Sequence, residues 1–143
     1  MGLEDVYTEL VSEHSRCPEN RHPLDCATCS CKGHNPSCGD EITLHLDVQD
    51  GIVKDASFEG VGCAISQAST DMMIDLIRGK SVEKARELAG KFIAMIKREI
   101  TDDDELEELD EALSLKNVSN MPARVKCAVL AWHTLDDALK EKK

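Results

Sequence analysis

Cysteine, aspartate and histidine are the side chains in this sequence best suited to holding a metal ion or moving sulfur, and its seven cysteines fall into two sets. Three are dispersed. Cys38 stands two positions before Asp40, Cys63 follows a Gly60-Val61-Gly62 run, and Cys127 lies close to the C-terminus. In Cys38-Gly39-Asp40 the glycine removes a side chain between two candidate ligands and permits a tight backbone path, so both can reach one cation. Thiolates with one carboxylate suit tetrahedral zinc at ligand distances of about 2.0 to 2.3 Å. Three thiolates and a carboxylate carry four negative charges, and bound Zn²⁺ would leave two. Arg124 and Lys126, just ahead of Cys127, are placed to offset them. The spacings alone leave two readings open, a convergent ligand set or separate small core residues, because free cysteine is commonly buried.

The other four cysteines, Cys17, Cys26, Cys29 and Cys31, form a C-x₈-C-x₂-C-x-C cluster. Four thiols at short spacing can close a second zinc or iron–sulfur centre, with His22 and His34 as substitute ligands. The competing reading is a loop whose thiols serve no single purpose. An odd cysteine count without an export signal points to reduced thiols rather than a disulfide scaffold. Met72 and Met73 read as core, Ser66 and Ser69 as helix-start residues, and His133 as exposed or core-packed rather than catalytic.

The elements that must position these groups follow from periodicity. Leu3, Val6, Tyr7, Leu10 and Val11 give residues 3–15 the spacing of an amphipathic helix, and a polar, Cys-rich loop is expected over 16–40. Ile42, Leu44, Leu46 and Val48 alternate with polar residues, as in a half-buried strand. Gln49, Asp50 and Gly51 supply a turn into a second strand over 52–59, giving an antiparallel hairpin. The pattern turns helical from Ser66, which places Cys63 at a strand-to-helix junction. Arg78, Gly79 and Lys80 end that helix, and Ser81 caps the next, whose stripe is Ala85, Leu88, Ala89, Phe92, Ile93 and Ile96. An acidic helical insertion is expected at about 101–116, a short surface helix carrying Leu106, Leu109 and Leu113. A final helix from Pro122 carries Cys127 near its start. The pattern is α+β, a small antiparallel sheet covered by helices.

A length of 143 residues fits a single domain spanning 1–143. Aromatics are only 3% of the chain, so the core is aliphatic. The net charge of -11 disfavours a nucleic-acid partner, since phosphate recognition draws on Lys and Arg. Eight of the 28 acids sit in residues 102–111, read first as a solvated helix face and second as a docking surface for a basic partner. No leader pattern and no apolar run of roughly 20 residues is present, so no membrane contact and a cytoplasmic location are expected.

The stretches NPSCGDEITLHL (35–46), FEGVGCAISQAS (58–69) and MPARVKCAVLAW (121–132) resemble the three signature segments of the SufU/IscU family of iron–sulfur assembly proteins, akin to the NifU N-terminal domain. EHSRCPENRHPL (13–24) resembles its N-terminal helix and following loop. The resemblance implies a three-stranded antiparallel sheet covered by helices and a metal and sulfur site of Cys38, Asp40, Cys63 and Cys127. Lys126 stands where IscU proteins carry His, the MPARVK segment lacks the LPPVK chaperone-binding motif, and Cys63 and Cys127 lie 64 positions apart, longer than in IscU. These features favour the SufU branch, whose members bind zinc and accept persulfide sulfur from a SufS-type cysteine desulfurase. Cys38 is then the expected acceptor, since a loop position moves more readily than one beside a helix. Two other functions stay open: a scaffold on which a [2Fe-2S] cluster is built and passed to apo-proteins or other assembly proteins, and a structural zinc module for protein interactions. The cluster of Cys17, Cys26, Cys29 and Cys31 departs from the family pattern.

Overall fold

A computed structural model describes residues 9–17, 19–25, 27–35, 39–100, 102–120 and 122–140. Cys26, Cys38 and residues 3–8 of the first expected helix lie outside the described residues. The elements are α1 (Glu9–Arg16), β1 (Cys29–Asn35), β2 (Asp40–Gln49), β3 (Ile52–Val61), α2 (Ala64–Ile77), α3 (Val82–Ile96), a short α4 (Asp103–Leu106), a 3₁₀ helix (Glu107–Asn120) and α5 (Pro122–Lys140).

The sheet is antiparallel in the order β1-β2-β3. Asp50 and Gly51 join β2 to β3 with φ of 54° and 74°. Both are left-handed, as a two-residue hairpin turn requires. Alternation along β2 buries Ile42, Leu44 and Leu46, which sit level with Gly60, Phe58 and Ala56 of β3. On the other side they face Gly33, Cys31 and Cys29 of β1. The expectation of loop throughout 16–40 is therefore corrected over 29–35. That strand gives little sequence signal because its core-facing positions are Cys, Cys, Gly and Asn rather than branched apolar residues.

The outer edge of β3 is covered by connecting chain. Phe58 N–H donates to the Asn20 carbonyl at 2.8 Å, and Val53 N–H to the Lys80 carbonyl at 2.8 Å. These bonds blunt an edge otherwise open to pairing. Against the inner face lie α2, α3 and α5, with Met72, Met73, Leu88, Phe92, Trp132 and Leu135 buried. Trp132 stacks on Phe92 with ring centroids 4.1 Å apart, and its indole N–H donates to Ser69 Oγ at 2.8 Å. A buried indole thus finds the partner its N–H needs. Ser69 in turn donates to the Ala128 carbonyl at 2.6 Å, so it ties α2 to α5 rather than merely starting a helix. His133 is exposed.

The acidic segment buries Leu106, Leu109, Ala112, Leu115 and Val118 at strict intervals of three. That is the repeat of a 3₁₀ helix, and Leu113, off that row, packs half-buried against the same core. On its outer side Glu108 reaches α3, where it pairs with Lys84 and Lys91.

Candidate metal centre

Asp40 opens β2, Cys63 is the residue just ahead of α2, and Cys127 lies in the second turn of α5. One ligand atom from each lies within 4.8 Å of the others, although the three are far apart in sequence. Asp40 is fully buried and Cys127 is 1% exposed, while Cys63 is half-buried. The centre is thus buried on one side and reachable from the other.

Local structure fixes each group. Asp40 Oδ1 accepts the Cys63 backbone N–H at 2.9 Å, and the Cys63 carbonyl accepts the Gln67 N–H at 3.0 Å. Cys63 is the N-cap of α2, yet its side chain makes no capping hydrogen bond, so the thiol is not spent on the helix end. Gly39 takes φ +71°, the left-handed turn into Asp40. Gly62 is required by close approach: a Cβ there would stand 2.8 Å from Asp40 Oδ1 and 3.1 Å from Ser66 Oγ.

Asp40 Oδ2 is buried with no hydrogen-bond partner among the described residues. A bare carboxylate oxygen in that position is costly unless it meets a cation. With two thiols beside it, the donor set fits zinc or an iron–sulfur centre. Asn35 joins the site without a sequence signal of its own beyond opening the NPSCGD stretch. It pairs across the sheet with Asp40 and points its Nδ2 at Cys127 Sγ at 4.0 Å. Arg124 is half-buried and Lys126 exposed on the first turns of α5.

The loop cysteines are placed differently. Cys29 and Cys31 lie on β1, half-buried against the core. Cys17 follows α1, and the chain from it reaches the β3 edge at Asn20, so it stands across the sheet from β1. Among the described residues these thiols do not gather into one group. His22 and His34 are exposed.

The chain matches the NifU-like N terminal domain family over residues 6–143. It is 44% identical over 141 residues to an iron–sulfur cluster assembly scaffold protein IscU of Thermotoga maritima, covering 99% of this chain and 97% of that one. It is 36% identical over 141 residues to the zinc-dependent sulfurtransferase SufU of Bacillus subtilis, covering 99% and 94%. A crystal structure of a SUF-system scaffold protein, FiSufU, from Fervidobacterium islandicum superposes with a TM-score of 0.89 at 36% identity, covering 96% of this chain and 99% of that one.

Proposed function

The chain belongs to the NifU-like N-terminal domain family of iron–sulfur cluster assembly proteins, and from that membership and the geometry above we propose that it is a zinc-dependent sulfur acceptor. The observation that carries this reading is the convergence of Asp40, Cys63 and Cys127, with one Asp40 oxygen buried and without a hydrogen-bond partner among the described residues. Cys38, two residues from Asp40, is the proposed fourth ligand and the acceptor. Bound zinc would keep the thiols deprotonated yet subdued until a partner displaces one of them.

The partner is a cysteine desulfurase of the SufS kind. The Cys38 thiolate attacks the outer sulfur of the desulfurase's cysteine persulfide, and a new sulfur–sulfur bond forms. The enzyme's own sulfur–sulfur bond breaks, its cysteine leaves as a thiolate with the electron pair, and the persulfide proton stays on the transferred sulfur. No net oxidation occurs. Asp40, a weaker zinc ligand than a thiolate, tunes how readily Cys38 is released. Arg124 and Lys126 offset the negative charge of the centre. Other iron–sulfur assembly proteins or apo-proteins then receive the sulfur.

A second reading is favoured by the Thermotoga relative, whose name is that of a scaffold. On that reading the same four residues hold a [2Fe-2S] cluster as cargo, Asp40 being the ligand that lets it leave. Incubation with a cysteine desulfurase and cysteine, followed by mass mapping of persulfides and metal analysis, separates the two. Persulfide on Cys38 in a protein with zinc at this site supports the acceptor. A cluster built from iron and sulfide and passed to an apo-protein, with no zinc requirement, supports the scaffold. Zinc without either activity would leave only a structural interaction module.

A further inference from the structure

A second group of ligand-type side chains faces one cavity where α1 packs against α2, away from the Asp40 centre. We propose that His14, Cys17, Asp71 and Asp75 form a second metal site, for a zinc-class divalent ion. Ligand atoms of His14, Asp71 and Asp75 all lie within 4.8 Å of one another. The cavity has a volume of about 260 Å³, and Glu13 and Cys17 complete its lining, so among the described residues every one that lines it carries a metal-binding type of side chain. Asp71 and Asp75 are one turn apart on α2 and meet His14 near the end of α1, while Cys17, three residues further on, lines the same cavity outside that close group and would have to close on the ion as it binds.

An outer layer orients the carboxylates, as metal sites require. Asn20 Nδ2 donates to Asp71 Oδ1 at 2.9 Å and to Asp75 Oδ1 at 3.0 Å. The Asn20 amide oxygen accepts from Arg78 Nη2 at 2.6 Å, and Arg78 is itself anchored on Asp55 at 3.0 Å and on the Ala56 carbonyl at 3.2 Å. His14 Nδ1 meets Asp71 Oδ2.

Charge and donor chemistry choose the ion. Asp71 is 1% exposed, and a cation offsets the cost of burying its carboxylate one turn from Asp75. Two carboxylates and a thiolate with Zn²⁺ leave one negative charge, which faces Arg78, 3.6 Å from Asp75. Imidazole and thiol donors select zinc or a similar transition metal over magnesium or calcium. The second metal expected from the clustered cysteines is thus assigned to other ligands, with Cys17 alone carried over.

The test uses the full chain, zinc titration with elemental analysis, and mass-mapped alkylation of Cys17. The wild type should take a second zinc equivalent, and that equivalent should slow Cys17 alkylation by about tenfold or more. Cys17→Ser and the conservative, half-exposed Asp75→Asn should each weaken the second equivalent by about tenfold or more while keeping the first. Cys63→Ala should lose the first and keep the second, so failure of the proposed main centre is read separately. A second equivalent that is absent, that leaves Cys17 labelling unchanged, or that persists at wild-type affinity in both Cys17→Ser and Asp75→Asn would overturn the site.

Discussion

Asp40 uses its two carboxylate oxygens differently: Oδ1 holds the Cys63 backbone, and Oδ2 is buried without a hydrogen-bond partner among the described residues. The two roles separate by substitution. Asp40→Asn keeps an acceptor for the Cys63 N–H but removes the charge, whereas Asp40→Ala also strands that donor, at about 1–3 kcal/mol. Both should retain zinc on the remaining thiolates and show slower persulfide transfer, and only the alanine variant should be markedly less stable. Zinc loss in Asp40→Asn as complete as in a cysteine variant would make Asp40 a structural ligand rather than a tuning one. Gly62→Ala places a Cβ 2.8 Å from Asp40 Oδ1. The crowding should cost about 1–3 kcal/mol. In an Asp40→Ala background the obstructing oxygen is gone, so the cost should shrink. Strict additivity of the two changes in thermal unfolding would refute the contact.

The 3₁₀ helix is pinned to α3 through one carboxylate. Hydrogen bonds from Lys84 and then Lys91 hold the Glu108 carboxyl at about 2, below its ordinary 4.5. A depressed acid contributes stability above its unfolded value and loses it as pH falls through its folded one. The Tm difference between wild type and Glu108→Gln should therefore be greatest above pH 4.5 and vanish towards pH 2. Salt should shrink it as well, because the pair is exposed. A difference independent of both pH and salt would mean that the pairing does not hold the element. The inner side of the same helix is apolar, and Leu109→Ala should cost about 2–5 kcal/mol. How much of this is legible in sequence differs by element. β2, β3, α2, α3 and α5 announce themselves by period, and Cys63 falls at the junction that the change of period marks. Leu106 and Leu109 fit periods of three and 3.6 alike, so the segment reads as helical without revealing its type. β1 carries no apolar alternation, and its Gly33 is fixed by tertiary packing, since a Cβ there would stand 2.1 Å from Thr134 Oγ1 on α5. The link among His14, Asn20 and Asp71 joins residues more than 50 positions apart, and no local pattern signals it.

At the scale of the whole molecule the Asp40 centre joins the start of β2, the junction of β3 with α2, and the second turn of α5. A metal bound there ties the sheet to two of the helices that cover it. The unfolded chain has no such preformed site, so binding free energy, on the order of 10 kcal/mol for structural zinc, appears largely as folding free energy. Losing even about 3 kcal/mol of it should lower Tm by roughly 10 °C in a domain of this size. Stripping the protein with a chelator should therefore lower Tm by at least that much in the wild type and in Cys17→Ser, whose main centre is intact. Cys63→Ala and Cys127→Ala should begin several kcal/mol less stable, lack that zinc, and show a much smaller response to the chelator. Cys127→Ala should be the weaker apo-protein of the two, because Cys127 is buried at 1% exposure while Cys63 is only half-buried. A wild type that gives up its metal to the chelator with no change in Tm would show that the apolar core holds the three elements together without it, and that Asp40, Cys63 and Cys127 do not bind the metal as one centre.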